Sequence, residues 1–250
     1  MRKVLLAFLF GASLILAQTE SPVVGVGPFL HIVADLDRSL AFYHDQLGLE
    51  LSGPAGEHKF TDNPAVANLY GVPGKQFRAA VLKIPGSAMG IELVQWGEAR
   101  KPKDEPLVGP GTATLIIRRA ETTKTLHDPD GFPVEVERSE NPGADLSVSV
   151  SDVRKTTALY ESVLGLKSVP IRFTKAKPGD GQGAPFPEVG QGMLRVFVRN
   201  VDALTASLKD AGFSVITTGG APVTLPQGQR VIILRDPNNF YLQLMQSPQK

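Results

Sequence analysis

The stretch Asp35-Leu36-Asp37-Arg38-Ser39-Leu40-Ala41-Phe42-Tyr43, followed four residues later by Gly48-Leu49, is met again as Asp152-Val153-Arg154-Lys155-Thr156-Thr157-Ala158-Leu159-Tyr160 with Gly165-Leu166. The two copies stand 117 residues apart. Each follows an alternating apolar run, Phe29, His31, Val33 in one and Leu146, Val148, Val150 in the other, which predicts a strand. In each copy the Asp is placed to cap a short helix, and in the first Leu40, Tyr43 and Leu47 share one helical face. The glycine then supplies the left-handed residue that stops the helix.

Working outward, a third strand–helix unit runs from Met193-Leu194-Arg195-Val196-Phe197-Val198 through Leu204 and Leu208 to Gly212. An apolar strand over 231–234, the turn Asp236-Pro237-Asn238-Asn239 and a strand over 240–245 follow it. The first unit ends in the same manner, with strands over 77–84 and 91–96 around Pro85-Gly86. A second tight turn, Asp128-Pro129-Asp130-Gly131, leads into a strand over 133–137 and matches the Asp236 turn at an offset of 108. Recurrence on this scale predicts paired modules of an α+β protein.

These residues resemble the vicinal oxygen chelate superfamily, which includes glyoxalase I, extradiol dioxygenases, fosfomycin-resistance enzymes and bleomycin-binding proteins. Asn63-Pro64-Ala65, Gly71-Val72-Pro73-Gly74, Phe77-Arg78 and Ile84-Pro85-Gly86-Ser87 are similar to a bacterial branch with two tandem domains. The resemblance covers residues 25–247. It implies paired βαβββ modules that curl into cups, a domain over 25–138 and another over 144–247. It also implies a small-molecule ligand and one divalent metal per cup, held by inward side chains and acting as a Lewis acid.

Measured against that pattern, the ligand positions of this chain are altered. Pro28 stands at the first, with His31 the nearest imidazole, and Glu92 and Glu135 match the two carboxylates. Thr114 replaces the second imidazole. In the second half Asp145, Met193 and Gln243 stand at ligand positions and are expected to line a cavity, as is Thr114. His31, three residues from Pro28, reaches a cup only through a bulge; otherwise it lies between sheet and helix. Glu92, Glu135 and His31 are therefore the expected metal set, degraded for a transition metal. Glu92 and Glu135 double as the expected acid–base pair. Tyr70 and Trp96 are further candidates for a cup wall.

Module lengths are uneven. The first (28–97) and fourth (193–245) are full, whereas the second (114–137) has no room for a helix between Arg119 and Asp128. The third keeps strand and helix but then enters a Gly- and Pro-rich run over 175–191. Two pairings are open: cups formed within each half of the chain, or the two long modules joined to each other.

Composition narrows the function classes. With 26 basic and 25 acidic residues among 250, the chain carries no excess of positive charge for nucleic acid. The absence of cysteine excludes disulfides, thiolate zinc and a cysteine nucleophile. Residues 1–17 combine Arg2-Lys3, an apolar run over 4–16 and Ala17, the parts of a secretory signal too short for a membrane anchor. Its removal turns the net charge from +1 to −1 and predicts a secreted or periplasmic protein free of the membrane. Two functions are expected: a metal-assisted lyase, isomerase or dioxygenase acting on a small oxygen-rich molecule, or a metal-free binding protein on the same fold, like the bleomycin-binding members.

Overall fold

The computed structural model describes residues 21–53, 58–97, 109–165, 169–177 and 187–248. The expected signal segment lies outside these residues, as do parts of the linkers over 98–108 and 178–186. Two sheets are formed, and neither follows the halves of the chain. Sheet 1 joins the first and fourth modules. It takes β1 (Val23–Ile32), β2 (Glu50–Ser52), β3 (Phe77–Lys83) and β4 (Ile91–Trp96) from one. From the other come β10 (Gly192–Val198), β11 (Ser214–Val215), β12 (Val223–Thr224), β13 (Arg230–Arg235) and β14 (Tyr241–Gln246). Their order is β11-β13-β14-β10-β1-β4-β3-β2, with β12 on β13.

Sheet 2 joins the two shortened modules. Its strands β5 (Ala113–Arg119), β6 (Lys124–His127), β7 (Pro133–Arg138), β8 (Gly143–Val150) and β9 (Ile171–Lys175) lie in the order β6-β7-β5-β8-β9. The seams are antiparallel pairs with matching logic. β1 meets β10, with Leu30 opposite Met193, and β5 meets β8, with Ile116 opposite Asp145. Of the two pairings open from the sequence, the long modules pair with each other.

The repeated motif folds as read. Asp35 caps α1 (Leu36–Leu40), its carboxylate accepting from the amides of Asp37 and Arg38, and a π-helical stretch (Ala41–Gln46) continues it. Asp152 caps α3 (Val153–Leu164) through the Lys155 amide, and Gly165 ends it at φ 63°. Asn200 caps α4 (Val201–Asp210). A short helix outside the repeat, α2 (Pro64–Leu69), is capped by Asn63.

Strand alternation sorts the side chains into two cores. Phe29, Leu93 and Leu194 of sheet 1 face Leu115, Val134 and Leu146 of sheet 2, and α1, α3 and α4 complete this shared core. On its opposite face, sheet 1 buries Leu30, Ile32, Trp96, Met193 and Tyr241 against α2. The opposite face of sheet 2 carries Arg118, Glu135, Glu137, Asp145 and Arg172 around the buried Ile116.

Candidate functional site

The covered face of sheet 1 encloses the best-formed candidate site. β3, β4, β10 and β14 make its floor, and α2 crosses the mouth, tied to the fourth module by the Thr218 amide donating to the Asn68 carbonyl at 3.1 Å. Beneath α2 lies a cavity of about 150 Å³. Its apolar wall is built by Val66, Leu69, Phe77, Val94, Leu225 and Met245. Tyr70 and Phe77 both pack on Trp96, with ring centroids 5.0 and 5.3 Å away, so one side of the cavity is aromatic.

The polar floor is made by Glu92, Arg195 and Gln243, with Tyr70 at its margin. Arg195 Nη2 lies 2.8 Å from Glu92 Oε2, and each side chain is only 16% exposed. The contact is an ion pair, and Glu92 Oε2 is buried with no hydrogen-bond partner among the described residues. Arg195 Nε donates to Gln243 Oε1, its register partner on β14. Gln243 in turn shares a hydrogen bond with the Tyr70 hydroxyl. Burial pushes the Tyr70 phenol well above its ordinary range and the Glu92 charge adds to this, against the opposing pull of Arg195 and Gln243. Tyr70 is therefore a neutral hydroxyl at any physiological pH.

The backbone makes room for the arginine. Between Val26 and Phe29 the β1–β10 register slips, so that Gly27 and Pro28 stand opposite Arg195 alone. A Cβ on Gly27 would come within 2.9 Å of the Arg195 stem. Pro28, which has no amide proton, is suited to such a bulge.

The expected site residues are divided between three places. Glu92 and Gln243 line the cavity, and Met193 is fully buried in the apolar cluster of the same face. Thr114, Glu135 and Asp145 lie on the polar face of sheet 2, where Arg118 and Arg172 both bond Asp145. Glu92 and Glu135 thus stand on different sheets, and the structure does not bring them together as an acid–base pair. His31 takes neither position. The bulge ends before it, and alternation turns its ring into the core between the sheets.

There His31 Nε2 lies 2.8 Å from Asp128 Oδ2 and Nδ1 lies 3.2 Å from the Gln191 carbonyl. With both nitrogens facing protein acceptors between the sheets, His31 is turned away from the cup in which it was expected to hold a metal. Asp128 also accepts from the Tyr43 hydroxyl and from the amides of Asp130 and Phe132. Burial pushes its carboxyl up, but the His31 charge and hydrogen bond and the two amides together hold it below the usual range.

The resemblance implies a divalent metal in a cup, and the donors of this one do not fit it. Among the described lining residues Glu92 is the one carboxylate, a guanidinium already lies against it, Gln243 Oε1 is occupied by Arg195, and Pro28 has no side-chain donor atom. Among the described residues no three His, Asp or Glu side chains gather as a metal site. Arg195 is the functional residue the motif reading missed. Its signal was present as the lone charge in the strand Met193-Leu194-Arg195-Val196-Phe197-Val198.

Neither a protein-family model nor a curated protein matches the sequence. Solved structures do match in fold. Glyoxalase I from Zea mays is similar with a TM-score of 0.60 at 16% identity, over 87% of this chain and 90% of that one. A putative dioxygenase from Bacillus subtilis is similar with a TM-score of 0.61 at 16% identity, over 92% of this chain and 87% of that one. The expected α+β architecture of tandem βαβββ-type modules is therefore the fold of this chain.

Proposed function

We propose that this chain is an exported protein that binds a small molecule, without a metal, in the cup of sheet 1. The observation that carries the reading is the floor of the cavity, where the paired charges of Arg195 and Glu92 meet apolar and aromatic walls. The cavity has the ordinary composition of a ligand site: apolar and aromatic walls with a few convergent polar groups. Its volume of about 150 Å³ suits a ligand of one ring or a short chain. The fold is shared with a glyoxalase I and a putative dioxygenase, so enclosure of a small molecule is in keeping with it. The chemistry of those proteins does not follow from the fold alone. Export rests on the basic and apolar segment over 1–17 and the mature chain would begin near Gln18.

The test is a thermal-shift screen of small polar and aromatic molecules against the mature protein, repeated on Val66→Phe, which fills the cavity from α2. The reading expects compounds that raise the melting temperature of the wild type and leave the variant unmoved. Compounds that shift both equally, or a screen that shifts neither, would overturn it. Export is checked separately, by the N-terminal sequence of protein recovered outside the cytoplasm; a retained Met1 would refute it.

A further inference from the structure

We infer that the ligand of this cup is a neutral aromatic molecule of one ring carrying a hydrogen-bond donor, which it gives to the Glu92 carboxylate. The inference rests on the reading of the cup as a small-molecule site and goes on to its ligand class. Size sets the first limit. A cavity of about 150 Å³ is large enough for benzene and well short of the space a drug-sized ligand fills. The wall sets the second. Tyr70 and Phe77 line the space and are held by Trp96 behind them, which presents flat π surfaces in a fixed position. A planar ring gains stacking or edge contacts there that an aliphatic chain of equal volume does not.

The floor sets the third limit. Arg195 and Glu92 are paired, so an anion entering the cup meets repulsion from Glu92 that offsets its attraction to Arg195, and a cation meets the reverse. Neutral molecules meet neither penalty. Gln243 Oε1 is engaged by Arg195, whereas Glu92 lines the cavity with its Oε2 held only by the ion pair to Arg195. A carboxylate held by an ion pair keeps lone pairs free on its other oxygen, and a ligand O–H or N–H that reaches it from the cavity adds a charge-assisted bond.

Trp96 is the single tryptophan of the chain and reports on this wall directly. The experiment titrates the mature protein with phenol, anisole, benzoate and cyclohexanol, followed by Trp96 emission and by calorimetry. Phenol is expected to bind at least about 10-fold more tightly than anisole, which has the ring without the donor, a difference of about 1.4 kcal/mol. Benzoate and cyclohexanol are expected to be weaker than phenol by a similar factor. In Glu92→Gln the advantage of phenol over anisole shrinks. Should that variant fail to fold, the phenol-to-anisole ratio of the wild type decides. Anisole binding as tightly as phenol, or benzoate binding most tightly, would overturn the inference. Tight binding of cyclohexanol alone would overturn the aromatic class while leaving the cup as a ligand site. If none of the four probes binds, by calorimetry or Trp96 emission, the inference falls, and the thermal-shift screen decides whether the cup reading falls too.

Discussion

The two sheets are built from the same kind of module and finish their outer faces in opposite ways. Sheet 1 covers its face with α2 and the β12–β13 hairpin and buries one ion pair, Arg195–Glu92, under an apolar roof. Among the described residues no helix or hairpin roofs the outer face of sheet 2, and that face is laced by ion pairs, Arg118 and Arg172 to the buried Asp145 and Arg172 to the more exposed Glu137. Arg172 is 45% exposed there, against 16% for Arg195. The difference shows that the fold survives without two cups. A cup survives only where chain length pays for a lid, and with it comes the low dielectric in which a fixed charge can act.

Removing Arg195 should have the largest effect. Arg195→Met leaves Glu92 buried without its partner and is expected to cost about 3–5 kcal/mol, read by urea denaturation. Arg118→Met on sheet 2 leaves the buried Asp145 still paired with Arg172 and is expected to cost less, about 1–2 kcal/mol. Equal losses would dissolve the contrast between the faces.

A second comparison lies between the sheets, in the two turns that the repeat aligns. Tyr43 bonds Asp128 and Tyr160 bonds Asp236, but the His31 of the first copy aligns with Val148 and the Asp130 with Asn238. Asp128, facing His31, is held below the usual range; Asp236, buried without a cation, is pushed above it, its amide and Tyr160 hydrogen bonds pulling the other way. Asp128 therefore contributes stability above its unfolded pKa and loses it as pH falls through the lower folded value. Asp236 contributes below its unfolded pKa and loses it as pH rises through the higher folded value. At neutral pH, Asp128→Asn is expected to cost about 2–3 kcal/mol, while Asp236→Asn is neutral or gains up to about 1 kcal/mol. Matching denaturation curves for the two variants would remove the distinction.

Smaller effects sharpen the same picture. Val66→Phe should change stability by no more than about 1–3 kcal/mol, because it grows into a cavity, yet abolish any ligand-induced shift in melting temperature. Raising the salt concentration should weaken the Arg172–Glu137 contact and leave Arg195–Glu92 nearly unaffected, measured as the salt dependence of stability in Glu137→Gln and Glu92→Gln.

Much of this architecture was legible in the sequence, because strand alternation, Asp caps and stop glycines are local signals. The repeat at 117 residues located both helices, and the turns at Asp128 and Asp236 were readable from composition alone. Which modules pair was not, since the β1–β10 seam joins residues more than 160 positions apart and no local pattern encodes it. The site was half legible. Glu92 and Gln243 were identified by position, and Tyr70 and Trp96 as possible walls. Arg195 was passed over because its partner became visible only when the Gly27–Pro28 bulge set it opposite β1 and beside Glu92. His31 attracted attention as an imidazole near a ligand position, but strand parity turned it away from the cup.

The central proposal is that a guanidinium stands in this cup where the resemblance implies a metal. It is tested most directly by calorimetric titration of the mature, chelator-treated protein with Co²⁺, Ni²⁺, Mn²⁺ and Zn²⁺, with Glu92→Gln alongside. The account predicts no stoichiometric binding in the wild type and no difference between the two proteins. One ion bound per chain in the wild type, and lost in Glu92→Gln, would contradict it.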